Sequence, residues 1–160
     1  MTFYAYYAIS PPITMAEEVI YYSGRSIRNL TRLADRYEDV DAMFELGYRY
    51  YFGYGVRHNI SKALGWFYNA GIRGDADACY MLGHMYSLAE GVDWDDEEAM
   101  YWFIQAADLG HADSMNELGI MFAEGYGVEP NMEFAKEWWE KAAEAGSEEA
   151  KQNLEKANSA

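Results

Sequence analysis

Apolar residues recur at helical spacing in two consecutive segments between residues 39 and 74. In the first segment, Ala42, Leu46 and Tyr50 follow one another at intervals of four. The second segment has its apolar positions at Ala63, Trp66, Phe67 and Ala70. Side chains three or four positions apart share one face of an α-helix. The stretch 39–74 is therefore predicted to form a helical hairpin.

The same pattern returns twice more, with a period of 36 residues. The pair Leu46-Gly47 recurs as Leu82-Gly83 and Leu118-Gly119. Further residues in phase are Gly55-Val56, Gly91-Val92 and Gly127-Val128, then Ala63, Ala99 and Ala135, Trp66, Trp102 and Trp138, Ala70, Ala106 and Ala142, and Gly74, Gly110 and Gly146. A period of this length means that one helical unit is stacked on copies of itself. The sequence predicts an all-α solenoid.

Residues that begin helices stand at the start of each segment. We expect N-caps of the first helices at Asp39, Asp75, His111 and Ser147, and of the second helices at Asn59, Asp95 and Asn131. Glycine inside a helix costs about 1 kcal/mol relative to alanine, so the neighbouring helix should approach closely at Gly47, Gly83 and Gly119. Trp66, Trp102 and Trp138 are expected to be core residues that supply the complementary volume.

The repeating unit resembles a known family. Its pattern is A-x-x-x-L-G-x-x-Y/F, G-x-G-V, K-A-x-x-W-F/Y-x-x-A and a closing glycine, and it resembles the Sel1-like repeat, a relative of the tetratricopeptide repeat. The copies are Ala42 to Gly74, Ala78 to Gly110 with departures at Ala89 and Glu98, and Ser114 to Gly146 with departures at Ser114 and Phe134. The resemblance implies a right-handed superhelix of antiparallel helix pairs that acts as an adaptor or inhibitor through protein contacts.

The repeats divide the chain into three parts. Residues 1–37 form an N-terminal segment with capping helices, residues 38–146 hold three repeats at about 39–74, 75–110 and 111–146, and residues 147–160 form a C-terminal capping helix. Thr14 to Glu17 have the sequence of a capping box that opens a short helix. A second helix is predicted from Arg25 to Tyr37, with an apolar stripe at Ile27, Leu30, Leu33, Ala34 and Tyr37. Residues 1–12 either pack across the first helices or form an arm that binds a partner.

The negative charge is concentrated in the middle of the chain. The net charge is −15, and residues 74–135 contain fourteen acids and no Lys or Arg. A surface of one sign attracts cationic partners and repels the phosphates of nucleic acids. We therefore expect a basic protein or peptide as partner and no direct binding to nucleic acid. The alternative is that the acids serve only solubility.

The resemblance also implies where a partner binds, because the first helix of such a unit lines the concave face beside the Leu-Gly pair. The positions carried over are Asp41, Phe44, Tyr48 and Tyr51, then Asp77, Tyr80, His84 and Ser87, and then Asp113, Asn116, Ile120 and Ala123. Carboxylates beside aromatic rings suit an arginine or lysine. Alternatively, the three aspartates only stabilise the positive ends of helix dipoles.

Other kinds of site lack support in the sequence. The single Cys79 cannot form an internal disulfide. The acidic run from Asp93 to Glu98 lacks the central glycine and the distal glutamate of a calcium loop, and His58, His84 and His111 do not have metal-ligand spacing. We expect no metal, no cofactor and no enzymatic activity. Without a signal peptide or a membrane span, the protein is expected to be soluble and cytoplasmic.

The leading hypothesis is a cytoplasmic module that binds a basic protein or peptide, as an inhibitor or as an immunity protein that neutralises a toxin. A general adaptor is an alternative. A third is a DNA mimic that uses the acids Glu90, Asp93, Asp95, Asp96, Glu97 and Glu98. Hydrolysis of β-lactams, associated with cysteine-rich relatives, is not supported by a chain with one cysteine. The sequence sets neither the partner nor the oligomeric state.

Overall fold

The computed structural model describes residues 24–159, which form helices and turns without a strand. The eight helices are α1 (Ile27–Tyr37), α2 (Val40–Phe52), α3 (Ile60–Gly71), α4 (Ala76–Ser87), α5 (Asp96–Asp108), α6 (Ala112–Glu124), α7 (Met132–Glu144) and α8 (Glu148–Ser159). Each helix packs on the next, and α8 also contacts α6. The predicted α/α solenoid is confirmed. The helix predicted to begin at Thr14 and the segment 1–12 lie outside the described residues.

The helices begin at the predicted caps. Carboxylate oxygens of Asp39 and Asp75 accept the backbone N–H three residues ahead, at 2.9 and 2.7 Å. Nδ1 of His111 accepts the N–H of Ser114 at 3.1 Å. The same role is played by Ser147, Asn59, Asp95 and Asn131. Because each cap satisfies a backbone donor that has no partner within the helix, it fixes where that helix starts.

A glycine in the first helix of each repeat receives a ring from the second helix. The contacts are Gly47 with Phe67, Gly83 with Phe103, and Gly119 with Trp139. A Cβ at Gly47 or Gly83 would stand 2.6 or 2.5 Å from the ring, closer than van der Waals contact allows. The close approach predicted at these glycines is confirmed. Any larger residue there would push the paired helices apart.

The prediction that the three tryptophans of the repeats are core residues is wrong in part. Trp102 is buried, but Trp66 and Trp138 are only partly buried against the core. The ring that meets the glycine belongs to the next residue in each case. One position along a helix rotates the side chain by about 100°, so the following residue faces the partner helix, and Trp66 and Trp138 lie at the margin of the core.

The turn inside the second repeat contains an alanine where the other repeats have glycine. Gly53 and Gly125 have φ of 77° and 80°, and the equivalent Ala89 has φ of 56°. A left-handed conformation costs a residue with a Cβ roughly 1 kcal/mol or more. The turn thus keeps the geometry of its counterparts at an energetic cost.

Two helices cover the ends of the described stack. Leu30 and Ala34 of α1 are buried, whereas Tyr37 is 66% exposed. The predicted place of Tyr37 on the apolar stripe is therefore wrong, because α1 ends there. At the other end, Ala150 of α8 is buried and Leu154 is partly buried, as predicted. None of the helices between residues 24 and 159 is long and apolar enough to cross a membrane.

Candidate functional site

A cavity of about 500 Å³ opens where the first helices of the three repeats come together. This volume lies in the range of ligand-binding pockets. The helices contribute Tyr51, Phe52, Tyr80, Met81, His84, Ser87, Asp96, Phe103, Glu117, Ile120 and Met121, and the turns contribute Leu88, Trp94 and Tyr126. Most of these side chains are aromatic or aliphatic, so the cavity offers ring faces and few polar groups.

Hydrogen bonds hold parts of the cavity wall in place. The hydroxyl of Tyr51 donates to the carboxylate of Glu90, which links the end of α2 to the turn after α4. The indole N–H of Trp94 donates to Asp96 at 3.1 Å, and Asp95 caps α5. Three acids of the segment 90–98 are therefore hydrogen-bond acceptors within the protein.

Glu117 places a largely buried carboxyl group in the cavity. Burial raises the pKa of Glu117 to about 7, with smaller contributions from repulsion by Glu149 and Asp113. Among residues 24–159, no Lys, Arg or His forms an ion pair with it. The cavity thus contains an acid whose charge is not balanced by a cation in the described part of the chain.

His84 adds no positive charge to the cavity near neutral pH. Burial, with a smaller contribution from His111, lowers the pKa of His84 to about 4. Its ring lies 4.5 Å from that of Tyr80, which in turn lies 4.6 Å from the ring of His111. Because Nδ1 of His111 accepts a backbone N–H, its proton is on Nε2, 3.2 Å from Asp77.

The three aspartates predicted to contact a partner lie in the first turns of α2, α4 and α6 and do not line the cavity. Asp41 is exposed, and Asp77 is paired with His111. The pKa of the capping residue Asp75 is raised to about 6, mainly by burial and also by the charges of Asp77 and Asp41, against the lowering effect of the hydrogen bond from the N–H of Ala78. These carboxylates therefore form a group at the helix starts.

Phe44 and Tyr48 extend the aromatic surface of the cavity along α2. The ring of Phe44 lies 5.7 Å from Phe67, and that of Tyr48 lies 4.6 Å from Phe52. Phe52 lines the cavity, so the cluster is continuous with it. Of the predicted residues, the structure brings Tyr51, Tyr80, His84, Ser87 and Ile120 into the cavity.

Asn116, predicted to contact a partner, is buried between helices. It is 1% exposed, its Oδ1 accepts from Asn153 at 2.9 Å, and its carbonyl accepts the indole N–H of Trp139 at 3.2 Å. The structure therefore places Asn116 in the packing between α6, α7 and α8. Ala123 lines a smaller hollow toward the C-terminal end. Across residues 24–159, no group of three His, Cys, Asp or Glu could hold a metal ion.

The sequence model of the Sel1 repeat family matches three consecutive segments, residues 40–75, 76–111 and 112–147. The chain belongs to the Sel1 repeat family. The predicted resemblance is thereby confirmed, with each matched repeat beginning one residue later than the division made from the sequence. Sel1 repeat proteins bind other proteins and typically act as scaffolds without catalytic activity.

Solved Sel1 repeat structures share the fold of this chain. A Sel1 repeat protein from Oxalobacter formigenes is 37% identical, with a TM-score of 0.75 over 81% of this chain and 97% of its own. The protective antigen c5321 of uropathogenic Escherichia coli is 31% identical, with a TM-score of 0.75 over 81% of this chain and 29% of its own. Helicobacter pylori cysteine-rich protein B is 26% identical, with a TM-score of 0.64 over 82% and 98%. No curated protein sequence matches the chain.

Sequence reasoning missed several residues that line the cavity between the Sel1 repeats. Trp94 and Tyr126 come from turns, whose course helical spacing does not give. Glu117 directly precedes the third Leu-Gly pair, at the repeat position that Glu45 holds in the first repeat. Four residues further along, the first repeat has Arg49 and the third has Met121. Comparing the repeats position by position would have revealed this acid without a cation.

Proposed function

We propose that this Sel1 repeat protein is a non-catalytic module that binds a basic protein or peptide on the surface around the cavity. The observation that carries the proposal is the combination of aromatic walls with Glu117, an acid that has no balancing cation in the described residues. The surrounding sequence strengthens it, because residues 74–135 contain fourteen acids and no Lys or Arg.

The chemistry of the cavity suits a cationic side chain. Aromatic faces attract ammonium and guanidinium groups, with about 0.5–2 kcal/mol per contact depending on desolvation. Glu117 would supply the opposite charge, and the acids of residues 74–135 would speed the encounter through their long-range field. Both effects favour a basic partner over a neutral or acidic one.

Within this class of function, we favour an inhibitor or immunity protein that covers a cationic surface of a toxin. The bonds of Glu90 and Asp96 to cavity-lining rings, and the cap formed by Asp95, give these acids roles in the cavity and at a helix start. These roles favour a groove for a basic partner over imitation of a DNA backbone. A general adaptor is the second candidate, because binding of other proteins is the property of the family.

Selection from a displayed library of random peptides tests the general proposal. We expect the full chain to enrich sequences that contain Arg or Lys, and we expect their binding to weaken steeply with added salt. A parallel selection with Glu124→Gln, which neutralises an exposed acid on the same helix, should give the same sequences. Enrichment of neutral or acidic peptides, or binding unaffected by salt, would reject a basic partner.

Purification of the complex from the native cell tests the toxin hypothesis. The copurified protein should be basic, should arrest growth when expressed alone, and should be tolerated when coexpressed with this chain. A harmless partner would support the adaptor instead. We also propose that the module acts in the cytoplasm, since its single cysteine is free and buried, and fractionation of the native cell tests this location.

A further inference from the structure

Glu45 and Glu117 occupy the same position of the repeat, two periods apart. Each stands immediately before a buried Leu-Gly pair in the first helix of its repeat. The second repeat has Met81 at this position. The molecule therefore contains two copies of one local environment that carry an acid, and the first shows how the scaffold accommodates it.

In the first repeat, a guanidinium group satisfies the acid. Nε of Arg49 donates to the Glu45 carboxylate at 2.6 Å, and Nη1 of Arg49 donates to the carbonyl of Arg25 at 2.6 Å. Arg49 is 8% exposed, so the pair is largely removed from water. Charge-assisted bonds of this kind offset the cost of burying both groups.

In the third repeat, the acid remains and the arginine is absent. Met121 occupies the position equivalent to Arg49, is 4% exposed, and lines the cavity beside Glu117. The second repeat, which has Met81 and Met85, contains neither member of the pair. Glu117 is thus the one acid at this repeat position, within the described residues, that faces an open space instead of an arginine.

We propose that the cavity receives an arginine side chain of the partner, whose guanidinium pairs with Glu117 as Arg49 pairs with Glu45. This inference rests on the proposed function and specifies it. The arginine of the partner would thus form with Glu117, between two chains, the ion pair that Arg49 and Glu45 form within one chain. Trp94 and Tyr126, which line the cavity and are exposed, would present ring faces to the flat guanidinium.

The cavity favours arginine over lysine for two physical reasons. A guanidinium is planar and weakly hydrated, so it can stack on an aromatic ring while its N–H groups bind a carboxylate. An ammonium group is compact and strongly hydrated, and it loses more hydration in an apolar cavity. The predominantly aromatic and aliphatic lining therefore discriminates between the two cations.

Three short alanine-rich peptides test the inference with the full chain. They differ only in the central residue, which is arginine, lysine or citrulline, the neutral analogue of arginine. Calorimetry gives affinities, and NMR of the labelled Met121 methyl group reports on the cavity. We expect the arginine peptide to bind at least about ten-fold more tightly than the other two. It should shift the Met121 signal at concentrations on the order of millimolar or below.

Two variants locate the binding. Glu117→Gln should weaken the arginine peptide at least about ten-fold, because it removes the charge and keeps the shape. Glu124→Gln, an exposed change on the same helix, should leave the affinity unchanged. Equal binding of the lysine peptide would overturn the arginine inference and leave a basic partner intact, whereas enrichment of neutral peptides from the random library would overturn both.

A third variant gives the third repeat the arginine of the first. Met121→Arg should pair with Glu117 within the chain and abolish binding of the arginine peptide, while circular dichroism should still show a folded helical protein. Met132→Arg, at an exposed position of α7, is the matched control and should bind normally. Binding retained by folded Met121→Arg, or an unshifted Met121 signal in the unsubstituted protein, would contradict the inference.

Discussion

The first helices of the Sel1 repeats carry acids at their starts and, in the first and third repeats, further along at Glu45 and Glu117. Asp41, Asp77 and Asp113 lie in first turns, where the partial positive charge of a helix N-terminus stabilises a carboxylate. Glu117 lies one turn beyond Asp113, largely buried among rings and repelled by its acidic neighbours. The number of acids therefore does not locate a site, whereas an acid whose charge is destabilised by burial and by neighbouring acids does.

Neutralising Glu117 should give the largest change in stability. The pKa of Glu117 is raised from 4.5 to about 7 on folding. The contribution of Glu117 to the free energy of unfolding is therefore fully present below pH 4.5, and it is lost as the pH rises through 7. Glu117→Gln removes this loss and should stabilise the protein by about 2–3 kcal/mol near pH 8.5. Urea unfolding at several pH values measures it.

The difference should disappear at about pH 4, where Glu117 is protonated in both states. Glu124→Gln, the exposed control, should change the free energy of unfolding by less than about 0.5 kcal/mol at any of these pH values. A destabilised Glu117→Gln protein near pH 8.5 would mean that Glu117 has a favourable partner, and the contrast with the aspartates would fail.

The affinity for the arginine peptide should depend on Glu117 more than on the three aspartates. Replacing Asp41, Asp77 and Asp113 together by Asn removes three charges, yet it should weaken binding of the arginine peptide by less than about three-fold, because none of the three carboxylates lines the cavity. The single change Glu117→Gln should weaken it at least about ten-fold. Calorimetry at one ionic strength compares them. A triple variant that loses all binding would move the site to the helix starts.

The pH dependence of binding should follow Glu117. Between pH 6 and pH 8 the ionised fraction of a group with a pKa near 7 rises about ten-fold, and affinity for the arginine peptide should rise with it. His84, whose pKa is lowered to about 4, stays neutral over this range. Affinity measured across the range should be flat in Glu117→Gln; a slope that persists there would assign the titration to another group, such as Asp113, Glu149, His111 or Asp96.

The smallest effect concerns the aspartates and stability. Each change of Asp41 or Asp113 to Asn should destabilise the protein by about 0.3–1 kcal/mol at neutral pH, through the lost interaction with the helix dipole. The sign is opposite to that of Glu117→Gln. Thermal unfolding in low salt measures the loss, and added salt should reduce it. Stabilisation by these changes would show that repulsion dominates at the helix starts as well.

The repeating architecture could be predicted because it depends on local rules. Period, caps and glycines each reflect contacts within one helix pair, and Asp39, Asn59 and Gly47 play their predicted roles. The errors at Trp66 and Tyr37 concern which way one side chain faces at the margin of the core. Such a choice depends on the angle between helices, which spacing alone does not give.

The site was only partly predictable for a related reason. Helical spacing places Tyr51, Tyr80 and His84 on one surface, and the structure brings them into one cavity. The contribution of Trp94 depends on the path of a turn, and the raised pKa of Glu117 depends on burial between repeats. A sequence shows which residues carry charge, whereas packing decides which of those charges are left without a partner.

The most direct test is an NMR titration of the Glu117 side-chain carboxyl carbon, with and without the arginine peptide. In the free protein, the pKa should lie near 7. A guanidinium placed beside the carboxylate stabilises its charged form, so saturating peptide should lower the pKa of Glu117 by at least about one unit. A pKa that stays the same while the peptide binds would show that Glu117 does not receive the cation of the partner.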